Sequence, residues 1–333
     1  MYTIIEQLVN IDYNNRAIDR LYTAARKLSD GPIIEKIANE ILKIPEGRFV
    51  FLSTGSVTRT WVTPRIGETD GPLGTAVLAK RIREITGAIP VIVTEASLAE
   101  PISAVVQCAG LSVVTVEQAI AAQNGAAQGK TSIACVIPFT EEDAEGENNA
   151  RRLMDEFDPA IVMCIEKAGF NEKKIYHNMR GHDYSPGRAR VDYLVEEAKR
   201  RGVLTVGVGD GGNEIGMGAI IEAVREYVKY GAQCQCGCGM GMAASTATDI
   251  LLTASVSNWG CYAICAALAL KCEKTTWVHS AADETRLLNT AVQSGMVDGA
   301  TGKAETTVDG FSLETNCALV DFIRTMVCRK INK

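Results

Sequence analysis

The apolar residues of this chain change rhythm along its length. In the first 45 residues they recur every three or four positions, Ile4, Ile5, Leu8 and Val9 and then Leu21, Ala24, Ala25 and Leu28, which predicts amphipathic helices. Ser29-Asp30-Gly31-Pro32 interrupts that pattern. From Arg48 onward, short solid apolar runs take over. Arg48 to Leu52 predicts a buried strand entering the loop Ser53-Thr54-Gly55, and further strands follow at Val91–Val93, Ser132–Ile137, Ala160–Ile165 and Val203–Val208. Helical patterns lie between them, over Leu73 to Thr86, around Asn149 to Phe157 and over Val191 to Arg201. Solid apolar runs alternating with amphipathic helices mark strands covered on both faces, the arrangement of a parallel sheet. Gly260–Leu270, Ala281–Gln293 and Leu313–Ile331 then read as helices. The expected fold is α/β: a mostly parallel sheet flanked by helices, with a helical N-terminal segment over residues 1–45. The α/β domain would span residues 46–333 and carry a helix-rich C-terminal third.

Composition narrows the partners. The 333 residues include 34 Lys and Arg against 40 Asp and Glu, a net charge of −6, without a basic block. That argues against a phosphate-backbone binder and so against nucleic acid. The longest clearly apolar run, Cys261 to Leu270, has ten residues, where a membrane span needs about 20. The N-terminus, with Glu6 and Asp12, reads as neither secretory signal nor transit peptide. Eleven cysteines, an odd number, fit a reducing cytoplasm better than a disulfide scaffold. The expected partner is a small anionic substrate, with no nucleic acid and no membrane; a homo-oligomer is compatible with the chain.

The richest segment is Gly207 to Gly218, with six glycines in twelve residues directly after a predicted strand. Ligands bind at the carboxyl ends of parallel strands, and glycines there let the backbone approach them. The amides of Gly211 and Gly212 are candidate anion contacts. Asp210 and Glu214 place negative charge among amides that favour anions, which a divalent cation between protein and substrate would reconcile. Glu68 and Asp70 in Gly67-Glu68-Thr69-Asp70-Gly71-Pro72 add two more hard oxygen donors, and Asn213 could supply another. Carboxylates in a chain with only three histidines point to Mn²⁺ or Mg²⁺. The competing reading of Asp70 or Thr69 is a helix cap ahead of Pro72.

Tyr176 to Asp183 gathers His177, Asn178, Arg180 and His182 in one loop. Arg180 offers a fork for a carboxylate or phosphate, and His177 is a candidate general acid or base. Ser257 and Asn258, opening a helix after the apolar run 250–254, are candidates for the same pocket, with Asn258 as an N-cap the alternative. Cys234-Gln235-Cys236-Gly237-Cys238 lacks paired C-x₂-C knuckles and a companion Cys/His pair nearby in sequence, so neither zinc nor an iron–sulfur cluster is expected there.

Taken together, GETDGP (67–72), YHNMRGHD (176–183), GDGGNEIGMG (209–218) and VSNWG (256–260), in this order, resemble the D-glutamate cyclase C-terminal domain family over roughly residues 45 to 275. The resemblance implies a lyase that closes D-glutamate to 5-oxo-D-proline with loss of water, or closely related acidic amino-acid chemistry. It also implies a manganese-dependent phosphatase as the alternative, and a non-catalytic metabolite-binding module is a third reading. Lactam formation and phosphate-ester hydrolysis both call on a divalent metal as Lewis acid.

Overall fold

A computed structural model describes residues 1–124 and 131–333. Its centre is a parallel sheet of seven strands: β1 (Phe49–Ser53), β4 (Ile89–Thr94), β5 (Ser112–Val114), β6 (Ile133–Pro138), β7 (Ile161–Ile165), β8 (Leu204–Gly209) and β9 (Ile250–Thr253). The spatial order is β5-β6-β4-β1-β7-β8-β9, every pairing parallel. Two short antiparallel pairs, β2 (Val57–Thr58) with β3 (Ile66–Gly67) and β10 (Thr307–Val308) with β11 (Phe311–Ser312), lie outside it. The expected α/β fold with a parallel sheet is therefore the observed one.

Strand periodicity assigns alternate side chains to the two covered faces. In β1, Val50 and Leu52 enter one apolar core while Phe49 and Phe51 enter the other; in β7, Ile161, Met163 and Ile165 face the first and Val162 and Cys164 the second. The first core is shared with α1 (Tyr2–Val9), α2 (Ile18–Lys27), α3 (Ile33–Leu42), α4 (Pro72–Thr86), α5 (Ala99–Cys108), α9 (Ile221–Tyr227), α10 (Ser257–Cys272), α11 (Ala281–Gln293) and α12 (Leu313–Ile331). The second lies under α6 (Val116–Asn124), α7 (Gly146–Phe157) and α8 (Asp192–Arg200). The N-terminal helices thus pack into the same core as the helix-rich C-terminal third. Among the described residues, no helix is long and apolar enough to cross a membrane.

The predicted strands and helices sit within a few residues of the observed ones. Between Val93 and Ser132 the sequence pattern assigned no element, yet the structure has α5, β5 and α6 there. β5 is only three residues long and incompletely covered, so it offers no solid apolar run.

The order of strands places a switch point beside β1: the chain leaves β1 for β4 on one side and later returns to β7 on the other. Loops after β1 and β7 diverge there, leaving a crevice at the carboxyl edge. Helices α4 and α10 meet under this edge. An added Cβ at Gly74 would lie 2.7 Å from the Cα of Asn258, so the close approach of the two helices depends on the missing side chain. Gly74→Ala should therefore destabilise the fold by roughly 1–3 kcal/mol, despite the ~1 kcal/mol that alanine normally gains over glycine inside a helix. Gly31→Ala, with nothing within 4 Å of the new methyl, should shift a denaturant midpoint very little. Equal behaviour of the two variants would contradict the packing account.

Candidate functional site

The site is assembled from the first residues beyond several strand ends. Glu166 directly follows β7, Asp210 directly follows β8, and Asp70 closes the loop between β1 and α4. Asp70, Glu166 and Asp210 can bring one carboxylate oxygen each to within 4.8 Å of one another. Glu166 takes a left-handed backbone, φ +47°, a conformation that costs a non-glycine residue on the order of 1 kcal/mol.

Asp70 and Glu166 are held from the start of α10, and Asp210 from the N-terminal segment. The Oδ1 of Asp70 accepts from the amides of Gly71 (2.9 Å) and Asn258 (2.8 Å), and its Oδ2 accepts from the amide of Ser257 (2.8 Å). Asp70 thereby caps α10. In return, the Oδ1 of Asn258 accepts from the amides of Gly71 (3.0 Å) and Gly74 (2.7 Å) and caps α4. The Ser257 hydroxyl donates to Glu166 Oε2 at 2.6 Å. Arg16, from the loop between α1 and α2, pairs with Asp210 and with Asp309 at 2.8 Å each.

A cavity of about 700 Å³ opens on this edge. Its walls carry Glu68, Glu166, Asp210, Glu214 and Asp309, together with Arg16, Arg59, Arg180 and Arg188. Burial pushes the carboxyls of Asp70, Glu166 and Asp210 well above the usual range. Neighbouring carboxylates add to this; Arg16 opposes it at Asp210, as the amides of Asn258 and Ser257 do at Asp70. Burial raises Glu214 in the same way. Asp309 moves down instead, because the Arg16 guanidinium outweighs its burial together with hydrogen bonds to Asp210 and Arg16. Buried like charges that resist ionising together are a donor set in want of a cation, so the residues fit a divalent metal.

Several expected site residues have other duties. Gly211 and Gly212 donate their amides to Glu214, at 3.0 and 2.8 Å, so these N–H groups are already spent on a protein carboxylate rather than on a substrate anion. Ser257 and Asn258 hold Glu166 and the two helix ends instead of lining the cavity. His177 turns its Nε2 to Cys236 Sγ, 3.2 Å away, and lies outside the cavity wall, which removes the general acid/base expected there. That contact also overturns the view that the cysteine run has no histidine companion. Glu68 and Glu214 line the cavity beside the three-carboxylate cluster rather than within it. Asn213 lines the cavity too, donating Nδ2 to the His177 carbonyl at 2.9 Å while its Oδ1 is buried without a partner among the described residues. Asn178 accepts from the amides of Arg180 and His182 and so folds the loop that presents Arg180, exposed, at the cavity rim.

Sequence reasoning missed Glu166, Asp309, Arg16, Arg59 and Arg188. Glu166 had a signal, a carboxylate directly after the apolar run 160–165; Arg16 and Asp309 arrive only through tertiary packing.

Residues 5–324 match the family described as D-glutamate cyclase-like, C-terminal. The chain belongs to that family. It is similar to the human mitochondrial D-glutamate cyclase, 26% identical over 297 residues that span 89% of this chain and 42% of that protein. The chain thus spans less than half the length of this curated relative. Among solved structures, it aligns with a mutant short-chain dehydrogenase/reductase of Serratia marcescens at 17% identity and a TM-score of 0.28, over 50% of this chain and 57% of that one. A dehydrogenase/reductase from Sinorhizobium meliloti aligns at 13% identity and a TM-score of 0.25, over 53% and 60%. The four family-like segments all fall on the cavity edge or directly behind it.

Asp192, at the start of α8, anchors the loop carrying Arg180 from behind: it accepts from Tyr176 Oη at 2.7 Å, from the Phe170 amide at 3.2 Å and from the Thr246 hydroxyl. Burial pushes its carboxyl up to about 6 against these donors. The folded chain therefore binds a proton between pH ~4 and ~6 that the unfolded chain, with an aspartate near 3.9, has released. This contribution to stability is complete below pH ~4 and is lost as the pH rises through 6, a change of about 3 kcal/mol. Asp192→Asn stays neutral throughout. Its unfolding midpoint should climb relative to the native chain between pH 4 and 6.5 and then run level; a constant offset would place the aspartate's pKa near its unfolded value.

Proposed function

We propose that this chain is a metal-dependent, D-glutamate cyclase-like lyase that closes D-glutamate to 5-oxo-D-proline and water. The observation that carries the reading is the cavity itself, whose walls hold Glu166 and Asp210 of the three-carboxylate cluster together with Arg59, Arg180 and Arg188. Family membership supports the same reaction class.

D-Glutamate is a dianion with one ammonium group, and the cavity offers complements to each part. Arg180 at the rim and Arg188 on the inner wall are forks for carboxylates. Arg188 is buried and oriented by its contacts with the Ser56 hydroxyl and the Tyr184 carbonyl. With both carboxylates held, the ammonium end folds back against the acidic wall, where Glu68 and Glu214 are placed to receive its protons. The amine nitrogen then bonds to the γ-carbon as one γ-oxygen leaves, and the two protons given up by the ammonium end on that oxygen as water. Holding the two ends together makes the closure intramolecular, which lowers the barrier by proximity. Asp70, Glu166 and Asp210 would hold Mn²⁺ or Mg²⁺, and when bound the ion supplies Lewis acidity toward the carboxylate that loses its oxygen.

The test is incubation of the full chain with Mn²⁺ or Mg²⁺ and either D-glutamate or a panel of phosphate monoesters, following 5-oxoproline and free phosphate. Lactam formation abolished by EDTA is expected. Arg180→Lys should lower kcat/KM by ~10-fold or more, on the ~1.5–3 kcal/mol of a charged hydrogen bond. Asp210→Asn should weaken Mn²⁺ binding by calorimetry at least ~10-fold, because it removes one charged oxygen ligand. Phosphate release without lactam would make the protein a metal-dependent phosphatase. Retention of D-glutamate without turnover of either substrate class would make it a binding module.

A further inference from the structure

A second group of donors lies behind the cavity wall and takes no part in the reaction above. His177, Cys234, Cys236 and Cys238 can each bring one ligand atom to within 4.8 Å of all the others. Cys234 Sγ is 3.2 Å from Cys236 Sγ and 3.4 Å from Cys238 Sγ; His177 Nε2 is 3.2 Å from Cys236 Sγ and 3.9 Å from Cys238 Sγ. A tetrahedral zinc with Zn–S of about 2.3 Å and Zn–N of about 2.0–2.1 Å requires edges of roughly 3.8 Å between sulfurs and 3.5 Å between sulfur and nitrogen. These four observed edges lie within roughly 0.3–0.6 Å of the tetrahedral values. We infer that His177, Cys234, Cys236 and Cys238 form a structural zinc site, with all four tetrahedral positions filled by the protein.

The backbone is shaped for this convergence. In an extended strand, alternate residues share a face, but their side chains stand about 7 Å apart. Gly237 and Gly239, both at φ +80°, curl the run so that the sulfurs meet; a Cβ at either would touch nothing, so glycine is required there for conformation and not for room. The Cys234 amide donates to the Met240 carbonyl at 3.0 Å and closes the curl. Asn171 Nδ2 donates to Cys238 Sγ at 3.5 Å and to the Gly241 carbonyl at 2.9 Å, the outer-shell N–H that a metal thiolate takes up. The sulfurs are close but unbonded, all eleven cysteines being free thiols. Cysteine with histidine in a closed set selects a borderline-soft ion, in contrast to the all-oxygen cluster at Asp70, Glu166 and Asp210.

The zinc joins the loop carrying His177 to the loop carrying Cys234, Cys236 and Cys238. The Gln235 amide donates to the Gly181 carbonyl at 2.7 Å, and Gln235 Nε2 donates to the Arg180 carbonyl at 3.1 Å. The cysteine loop is thus fastened to the segment carrying Asn178, Met179 and Arg180 on the cavity wall. With no open coordination position, the ion is a clamp and not a reagent. The assignment stands independently of the reaction proposed above.

The experiment is metal analysis of the untagged full chain purified without chelator. About one zinc per chain is expected, matching one closed four-ligand site. A mercurial reagent that titrates the thiolates should release it, as read by a chromogenic zinc indicator. Replacement with Co²⁺ should give the visible d–d bands of a tetrahedral centre and near-ultraviolet thiolate charge transfer. Cys236→Ser and His177→Ala should each lose the zinc while Asp210→Asn keeps it. Because the native chain alone gives the stoichiometry, mercurial release and cobalt spectrum, a variant that fails to fold does not decide the matter. Absence of zinc with no cobalt spectrum on reconstitution, iron in its place, zinc retained by folded Cys236→Ser, or a Cys234–Cys236 disulfide in the mass spectrum would each overturn the assignment.

Discussion

The reciprocal capping of α4 and α10 is the constraint on which the rest of the structure depends. Asp70 satisfies the first amides of α10, and Asn258, one residue into α10, satisfies those of α4. Two helix N-termini are thereby locked side by side, and their partial positive charge is concentrated beneath the acidic edge of the sheet. The exchange is possible only because Gly74 lets the two backbones touch. α10 is buried on all sides from Ser257 to Ala269, so its position is fixed by packing, and Asp70 inherits that fixity. A residue that caps a buried helix cannot drift, which is why the same carboxylate can also serve a site that needs sub-ångström placement.

This geometry concentrates negative charge where water is scarce. Glu166, Asp210 and Asp70 share a small volume, and the counter-charge supplied by the protein is Arg16, already divided between Asp210 and Asp309. A buried cluster of this kind lowers the stability of the fold, and carboxylates shifted in this way concentrate at functional sites. The left-handed backbone of Glu166 is a second local expense at the same point. Strain and charge coincide at the strand ends, and the apolar layers on both sides of the sheet compensate them.

Much of this was legible in the sequence because it is written in local patterns. Solid apolar runs such as 160–165 and 203–208 announce parallel strands, and the glycines of 207–218 announce a backbone that must pass close to other groups. Asp70, Asp210 and Glu214 could be singled out because carboxylates are out of place in such loops. What could not be read is which groups pair, whether near or far along the chain. That Glu214 consumes the amides of Gly211 and Gly212 depends on a turn closing on itself. His177 looked like a proton carrier by residue type alone; its neighbours, the three cysteines, are supplied by a loop 57 to 61 positions later and only the fold brings them together. Arg16 belongs to a helical segment with no chemical signature, and its reach to Asp210 follows from where α1 and α2 dock.

That docking also governs how the chain can be made. Asn10 accepts from the hydroxyl of Thr253, 243 residues later, and the amide of Ser255 donates to the carbonyl of Val9. Helices α1 and α3 bury their apolar stripes on α10, which follows them far downstream in the chain, beyond β9. The first helices therefore emerge without the surface they are shaped to cover, and contacts of such long sequence separation form late and slowly. Until then Ile5, Val9, Ile34 and Ile37 are unprotected apolar groups on a nascent chain. The element that brings Arg16 to the acidic edge is thus also one whose apolar face waits for its cover during synthesis, the kind of exposure that favours aggregation.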